Sequence, residues 1–366
     1  KLVIAAPREA IGAPTLPGDA TNKAYVDAAF KERTKTAQFL ATAPGATVTL
    51  THGFNSSYLV ADAWYRIDAS KPWSKNGYSN TGVGYGSGVD GAYSPTSSTT
   101  LAGGLHEYTS FHIPQGVTVT VTGTSPLIIR SKSTAVIAGV LTLAGGAGET
   151  VTGGGNSAAG TAGGGGGSAG GAGSGTTGAN GSGTGAGTGA SNSSGGGGGG
   201  GAGHASAGGS GVANGSPCAV GTNGTGGGAY ASLNTDTLAG GSGGGAGGYG
   251  GAQNGYGGGG GGGGGAVRIS AASILVSGTI NANGGDGGAS INNYDGGGGG
   301  GGSGGAVWLE ASEVQVLGTV TARGGAGGLV DRQGASCWGN DGGFGSDGRI
   351  RVDATLAFGI TTPPFS

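Results

Sequence analysis

Hydrophobic and polar positions alternate with period two in two segments after residue 265, and these two segments are copies of each other. Residues 266–288 (AVRISAASILVSGTINANGGDGG) align with residues 306–328 (AVWLEASEVQVLGTVTARGGAGG) at an offset of 40 residues. The coinciding positions are Val267/Val307, Ile269/Leu309, Ile274/Val314, Val276/Val316, Gly278/Gly318, Ile280/Val320 and the double glycines at 284–285 and 324–325. Alternating β-branched residues are typical of half-buried strands. Each copy therefore predicts two strands, a glycine, a third strand and a double glycine.

The repeat occurs in more than two places. A third copy covers residues 127–148, and a truncated fourth begins at residue 349. Repeats that each expose an apolar face must stack to bury it. We therefore predict a strand platform within residues 126–366, from which the chain departs into three glycine-rich excursions, at 149–265, 289–305 and 329–348.

Composition makes the longest excursion unusual. Residues 151–265 contain 55 glycines, one charged side chain (Asp236) and one proline (Pro217). Glycine loses the most backbone entropy on ordering, so disorder is the simplest alternative. A flexible chain with so little charge would self-associate, however, which favours internal backbone pairing. Collagen requires glycine at every third position and abundant proline, and neither is present.

The remaining interpretation is a bundle of polyproline-II-like (polyglycine II) helices. Only glycine lets backbones approach closely on every side, so all-glycine runs at 195–201, 257–265 and 296–302 are predicted to be enclosed helices. The mixed run at 163–175 would lie outside. The predicted fold class is mostly β, with stacked strand repeats, this glycine-rich helical bundle and a short N-terminal helix.

The first 125 residues have ordinary composition and most of the charge. Residues 1–45 are predicted to be an attachment segment, in which Asp19 or Thr21 caps a short helix. Residues 46–125 are predicted to be a β-rich connecting domain, with strands at 47–50, 58–67 and 111–121.

Charge and apolar content exclude several classes of partner. The net charge is −2 and charged residues make up 9% of the chain without a basic cluster, so we expect no nucleic acid partner. The apolar stretch at 135–144 is too short to span a bilayer, so we expect no membrane insertion. Cys218 and Cys337 are the two cysteines. Their loop settings fit two free thiols or one disulfide equally well.

Known chemical motifs are weak in this sequence. The G-x-G-x-x-G matches follow from composition, and none opens a helix after a strand. The four histidines show no metal-ligand spacing. Aspartates in glycine-rich turns lack the repeat that binds calcium in β-rolls. Asp90 and Glu107 are a carboxylate pair in the first half, flanking a tyrosine-rich loop. We expect no metal, no cofactor and no catalysis.

Large aromatic side chains occur in or near the expected turns of the glycine-rich excursions. A rigid amphipathic ring offers contact area at little cost in entropy. These rings either cap the ends of the bundle or contact a receptor, and both roles stay open. The candidate receptor-binding residues are Tyr230, Tyr249, Tyr256, Tyr294, Asp295, Trp338 and Phe344.

Residues 17–30 (PGDATNKAYVDAAF) resemble a short motif of bacteriophage tail-fibre proteins, and the glycine-rich body resembles the receptor-binding tips of some tail-fibre adhesins. The resemblance implies a host-recognition protein of the virion tail fibre. It would be extracellular, homotrimeric, joined to other fibre or baseplate proteins through its N-terminal region, and bound to a polysaccharide or outer-membrane protein of the host. The strand repeats also resemble glycine-rich surface proteins of environmental bacteria. The alternative function is a structural extracellular spacer of bacterial origin without a specific receptor.

Overall fold

The computed structural model describes residues 86–152, 158–230, 238–291, 295–332 and 336–365, together with the backbone of four short strands nearer the N-terminus. The chain divides into two compact units, Lys1–Gly84 and Tyr85–Ser366. The domain boundaries at residues 45 and 125 stay predictions.

The four short strands form an antiparallel sheet in the first unit. In chain order they are β1 (Leu2–Ile4), β2 (Ala37–Phe39), β3 (Ala63–Tyr65) and β4 (Ser74–Lys75). Their spatial order is β2-β1-β3-β4. The predicted short helix after residue 19 and the predicted strand at 47–50 lie outside the described residues.

The second unit is built on strands. They are β5 (Ala92–Tyr93), β6 (Thr99–Tyr108), β7 (Ser110–Ile113), β8 (Thr118–Ile137), β9 (Val140–Thr142), β10 (Val151–Thr152), β11 (Ala266–Val276), β12 (Thr279–Asn281), β13 (Ser290–Ile291), β14 (Ala306–Val316), β15 (Thr319–Thr321) and β16 (Arg349–Gly359). Ten of them form one parallel sheet with the path β15-β12-β9-β8-β11-β14-β16, while β6 and β7 pair with β8, and β5 pairs with β7. The strands β10 and β13 form a separate parallel pair.

Strand register follows the sequence repeat. Val267 on β11 lies opposite Val307 on β14, and Ile280 on β12 lies opposite Val320 on β15, so the pairing offset is 40 residues. Each repeat turns from its long strand to its short strand at a glycine. These glycines stack so closely that a Cβ on Gly278 would lie 2.0 Å from the carbonyl oxygen of Gly139. Equivalent residues therefore sit above one another and bury the same face.

The sheet curls into a nearly closed, barrel-like arrangement around an apolar core. Beyond β16, Thr362 forms a parallel bridge with Thr321 of β15, which brings the two ends of the sheet path together. The largest fully buried side chains are Phe111, Ile113, Leu127, Ile129, Ile137, Leu141, Leu143, Ile269, Ile274, Ile280, Leu309 and Ile350. Their burial supplies the main driving force for this unit, since the glycine-rich segments have few side chains to bury.

The predicted helical bundle is wrong. The regular structure is the parallel sheet, and no helix occurs among the described residues. Glycine offers no side chain through which a helix could bury an apolar face, so the regular elements are the alternating apolar strands. The glycine-rich segments 158–229, 239–265, 296–305 and 339–348, here called the glycine body, contain no helix and are hydrogen-bonded side by side.

Backbone hydrogen bonds tie the glycine body together. Gly199 donates to Gly298 over 2.8 Å, Gly247 donates to Gly258 over 2.9 Å, and Gly258 donates to Gly297 over 2.9 Å. The three all-glycine runs are buried throughout. Most of the backbone N–H and C=O groups of these runs are therefore hydrogen-bonded to other backbone groups, as buried polar groups require.

Within the described ranges, no helix has the length and apolar character needed to cross a membrane.

Candidate functional site: the far turns of the glycine body

The glycine-rich excursions leave the strand layer, reverse, and return to it. One group of reversals lies at the end of the glycine body away from the ten-stranded sheet; nine glycines, Gly257 to Gly265, separate Tyr256 from the first residue of β11. We call this group the far turns. They are residues 174–177, 191–194, 213–219, 249–256 and 336–338.

Backbone hydrogen bonds join turns that are distant in sequence. Tyr249 donates to the carbonyl of Thr176 over 3.2 Å, and Gly251 donates to the carbonyl of Ser193 over 2.7 Å. Gly195 donates to the carbonyl of Ala219 over 2.9 Å. Four of the five far turns are therefore neighbours in space.

Asp295 holds the turn at 250–255 in place. Its side chain is fully buried, and its two carboxylate oxygens accept hydrogen bonds from the backbone nitrogens of Gln253 at 2.6 Å and Gly255 at 2.8 Å. Gly250 and Gly255 also donate to each other's carbonyls. Asn254 adopts a positive φ of 58°, which asparagine tolerates better than most residues. Asp295 thus shapes the turn from beneath its surface.

A disulfide between Cys218 and Cys337 joins two other far turns, with 5.6 Å between the Cα atoms. Of the two alternatives that the sequence left open, the disulfide is the one formed. Gln253 extends the linkage, because its Nε2 donates to Ser336 Oγ over 3.0 Å. The fifth turn is thereby tied to the other four.

Three of the predicted aromatic residues lie in the far turns. The rings of Tyr249 and Tyr256 meet edge to face with 5.5 Å between centroids, and Tyr249 Oη donates to Asn254 Oδ1 over 2.6 Å. Trp338 is half-buried, and its Nε1 lies 3.4 Å from the carbonyl of Asn214. All three rings are partly exposed; polar contacts hold Tyr249 and Trp338, and the Tyr256 ring packs against Tyr249.

The other predicted residues do not join this group. Tyr230 lies at the opposite end of the glycine body, where its ring meets His204 edge to face at 5.1 Å and its hydroxyl donates to the carbonyl of Gly240. Burial raises its pKa. Phe344 is exposed on the side of the glycine body, beside Gly209. Tyr294 lies outside the described residues.

The far turns contain no Asp, Glu, Lys, Arg or His. Arg332, four residues before the turn at 336–338, is paired with Asp341 at 2.9 Å. The polar surface of the far turns consists of hydroxyl and amide groups, so it presents hydrogen-bond donors and acceptors without net charge.

The carboxylate pair from the sequence analysis, Asp90 and Glu107, makes its contacts within the strand layer. Asp90 Oδ2 accepts the backbone N–H of Glu107 at 2.7 Å. Glu107 receives the Ser87 hydroxyl at 2.6 Å and lies 3.6 Å from Arg130, and these contacts lower its pKa, the hydrogen bonds from Ser87 most. Over the described ranges, no three His, Cys, Asp or Glu side chains are grouped to hold a metal ion.

Sequence reasoning missed Gln253, Asn254 and Ser336. The Asn254-Gly255 dipeptide is a common turn signal and could have identified the reversal at 250–255. No comparable signal marks Ser336, whose role depends on two distant turns meeting.

Searches of protein-family models, of curated proteins and of solved structures gave no match to this chain.

Proposed function

We propose that this protein is the host-recognition protein of a bacteriophage tail fibre, and that the far turns bind a receptor on the bacterial surface. The observation that carries the proposal is the convergence of five turns at one end of the glycine body, two of which together present three partly exposed aromatic rings. The tail-fibre-like motif at residues 17–30 supports the same proposal.

The physical argument is preorganisation. Turns on a rigid scaffold are the usual place for binding residues, because the scaffold fixes their positions and leaves their side chains exposed. Here Asp295, the Cys218–Cys337 disulfide and the Gln253–Ser336 hydrogen bond restrict the turns before any ligand arrives. Less entropy is then lost on binding.

The role is binding without catalysis. Several identical chains in each fibre, and several fibres on each virion, would add many weak contacts into stable attachment. The N-terminal region would join the chain to other fibre or baseplate proteins, which places the protein outside the cell on the virion.

The proposal is tested by cell binding. The labelled chain is mixed with a panel of bacterial strains, and with polysaccharide-deficient and porin-deficient mutants of each strain that binds. We expect selective binding that is lost in one mutant class and that competes with adsorption of a phage specific for the same strain.

Matched variants locate the surface. Tyr249→Ala and Trp338→Ala alter far turns, whereas Phe344→Ala removes an exposed ring from the side of the glycine body. The first two should weaken cell binding while the third leaves it unchanged. Absence of binding to every strain would reject the proposal and favour a structural spacer.

A further inference from the structure

The far turns have an uncharged surface, and the charged side chains beside them already have partners. Asp295 is fully buried and bonded to two backbone nitrogens, and Arg332 is paired with Asp341. An acidic polysaccharide is normally held by cationic side chains, often through bidentate arginine. Nothing among the far turns offers that chemistry.

The far turns also lack an apolar patch. Nine large hydrophobic side chains are exposed among the described residues, and all of them lie outside the far turns: Val89, Leu105, Val212, Leu317, Leu329, Phe344, Leu356, Phe358 and Ile360. Protein partners usually bury an apolar centre enriched in aromatic residues and arginine. The described far turns supply aromatic rings, hydroxyls and amides, but no exposed aliphatic centre and no arginine.

Sugars match what the far turns do present. The C–H face of a sugar ring packs against an aromatic ring, and its hydroxyls exchange hydrogen bonds with amide and hydroxyl groups. Asn254 is exposed, and its Oδ1 already accepts the Tyr249 hydroxyl, so its Nδ2 is left to donate to a ligand. The adjoining rings of Tyr249 and Tyr256 lie within the same turn.

We infer that the far turns bind a neutral bacterial polysaccharide, with sugar rings against Tyr249 and Tyr256 and sugar hydroxyls on Asn254. This inference rests on the proposed function and names its ligand class.

The test uses the surface polysaccharide of a strain that the full chain binds. An anion exchanger separates this polysaccharide into neutral and acidic fractions, and each fraction competes with cells for the labelled protein. We expect the neutral fraction to compete. Raising NaCl from about 0.1 M to about 1 M shortens the screening length from about 10 Å to about 3 Å, and we expect it to change the affinity by less than about twofold.

Substitutions in one turn sharpen the result. Tyr249→Ala should weaken binding of the neutral fraction by about fivefold to tenfold, and Tyr249→Phe, which keeps the ring, should weaken it less. Asn254→Asp keeps the acceptor for Tyr249 and tolerates the positive φ. It removes the proposed donor, so it should also weaken binding. Phe344→Ala is the control for folding and for nonspecific contact.

The outcomes separate the two proposals. Cell binding that only the acidic fraction inhibits, that salt weakens steeply, or that disappears in porin-deficient cells would overturn the neutral polysaccharide and leave the host-recognition role standing. A chain that binds no strain would overturn both.

Discussion

His204 is fully buried at the end of the glycine body opposite the far turns. Its Nε2 donates to the carbonyl of Ala239 over 3.1 Å, and its ring meets Tyr230 edge to face. Burial lowers its pKa to about 4, because the charged imidazolium loses its hydration there. The folded protein therefore holds a neutral imidazole across the range in which free histidine takes up a proton.

This burial predicts a pH-dependent stability. In the unfolded chain His204 binds a proton below about pH 6.5, whereas in the folded chain it does so only near its lowered pKa of about 4. The free energy of unfolding therefore falls as the pH drops from about 6.5 to about 4. The total loss is about 3 kcal/mol. Denaturant unfolding at several pH values measures it. His204→Gln removes the titration, so an identical pH slope in this variant would contradict the assignment.

Close backbone approach makes single glycines indispensable. A Cβ on Gly300 would lie 2.0 Å from the carbonyl oxygen of Gly200, whereas a Cβ on Gly228 would meet nothing within 4 Å. Both positions are glycine in the sequence, yet their surroundings differ completely.

The pair provides a matched test. Gly300→Ala should lower the free energy of unfolding by about 3 kcal/mol, because two backbones must separate. Gly228→Ala should change it by no more than about 0.5 kcal/mol. Thermal unfolding compares the two variants, and equal effects would show that backbone contact does not restrict the glycine body.

At the scale of elements, the far turns are fixed by links between distant segments. The Cys218–Cys337 disulfide closes a sequence separation of 119 residues and connects the turn at 213–219 to the turn at 336–338. The strand repeats, by contrast, are aligned by the register of neighbouring strands. This register places Arg268, Trp308 and Arg351 side by side, with the two guanidinium groups 3.9 Å and 4.3 Å from the Trp308 ring centroid.

Removing the disulfide should lower the stability of the protein. We expect Cys218→Ser with Cys337→Ser to lower the free energy of unfolding by about 2–4 kcal/mol, because a long loop is released in the unfolded chain. Thermal unfolding with and without a reducing agent measures this. The reductant should bring the native protein to the level of the double variant and leave the variant unchanged; any other pattern would refute a stabilising disulfide.

At the scale of the whole molecule, a parallel apolar sheet anchors the ends of the glycine-rich excursions, and backbone hydrogen bonds between those excursions complete the second unit. The glycine body has almost no apolar side chains, so its order depends on the fixed ends and on amide partners.

Hydrogen exchange tests this dependence. Peptides covering 195–201, 257–265 and 296–302 should exchange about as slowly as peptides covering β11, because their N–H groups are buried and bonded. Mass spectrometry follows the exchange. Free exchange in the glycine runs alongside protected strands would mean that the glycine body is not ordered in solution.

Much of the strand layer was readable from the sequence. The coincidence of Val267 with Val307 and of Ile280 with Val320 at an offset of 40 residues is the register found in the sheet. Period-two alternation fixes which face of a strand is buried, and repeating it fixes how the copies stack. The prediction of polyglycine II helices was wrong, because glycine carries no side-chain period that distinguishes a helix from an extended segment.

The sequence by itself determined where the strand repeats and the glycine runs lie, although it predicted two strands in each place where the structure has one continuous strand, β11 or β14. Only the tertiary structure decided which turns meet: Tyr249, Tyr256 and Trp338 gather at one end, Tyr230 packs at the other, and Cys218 pairs with Cys337. The physical reason is that backbone contacts between glycines set the length and direction of each excursion. Those contacts are nearly the same for every glycine, so the sequence holds no local signal for them.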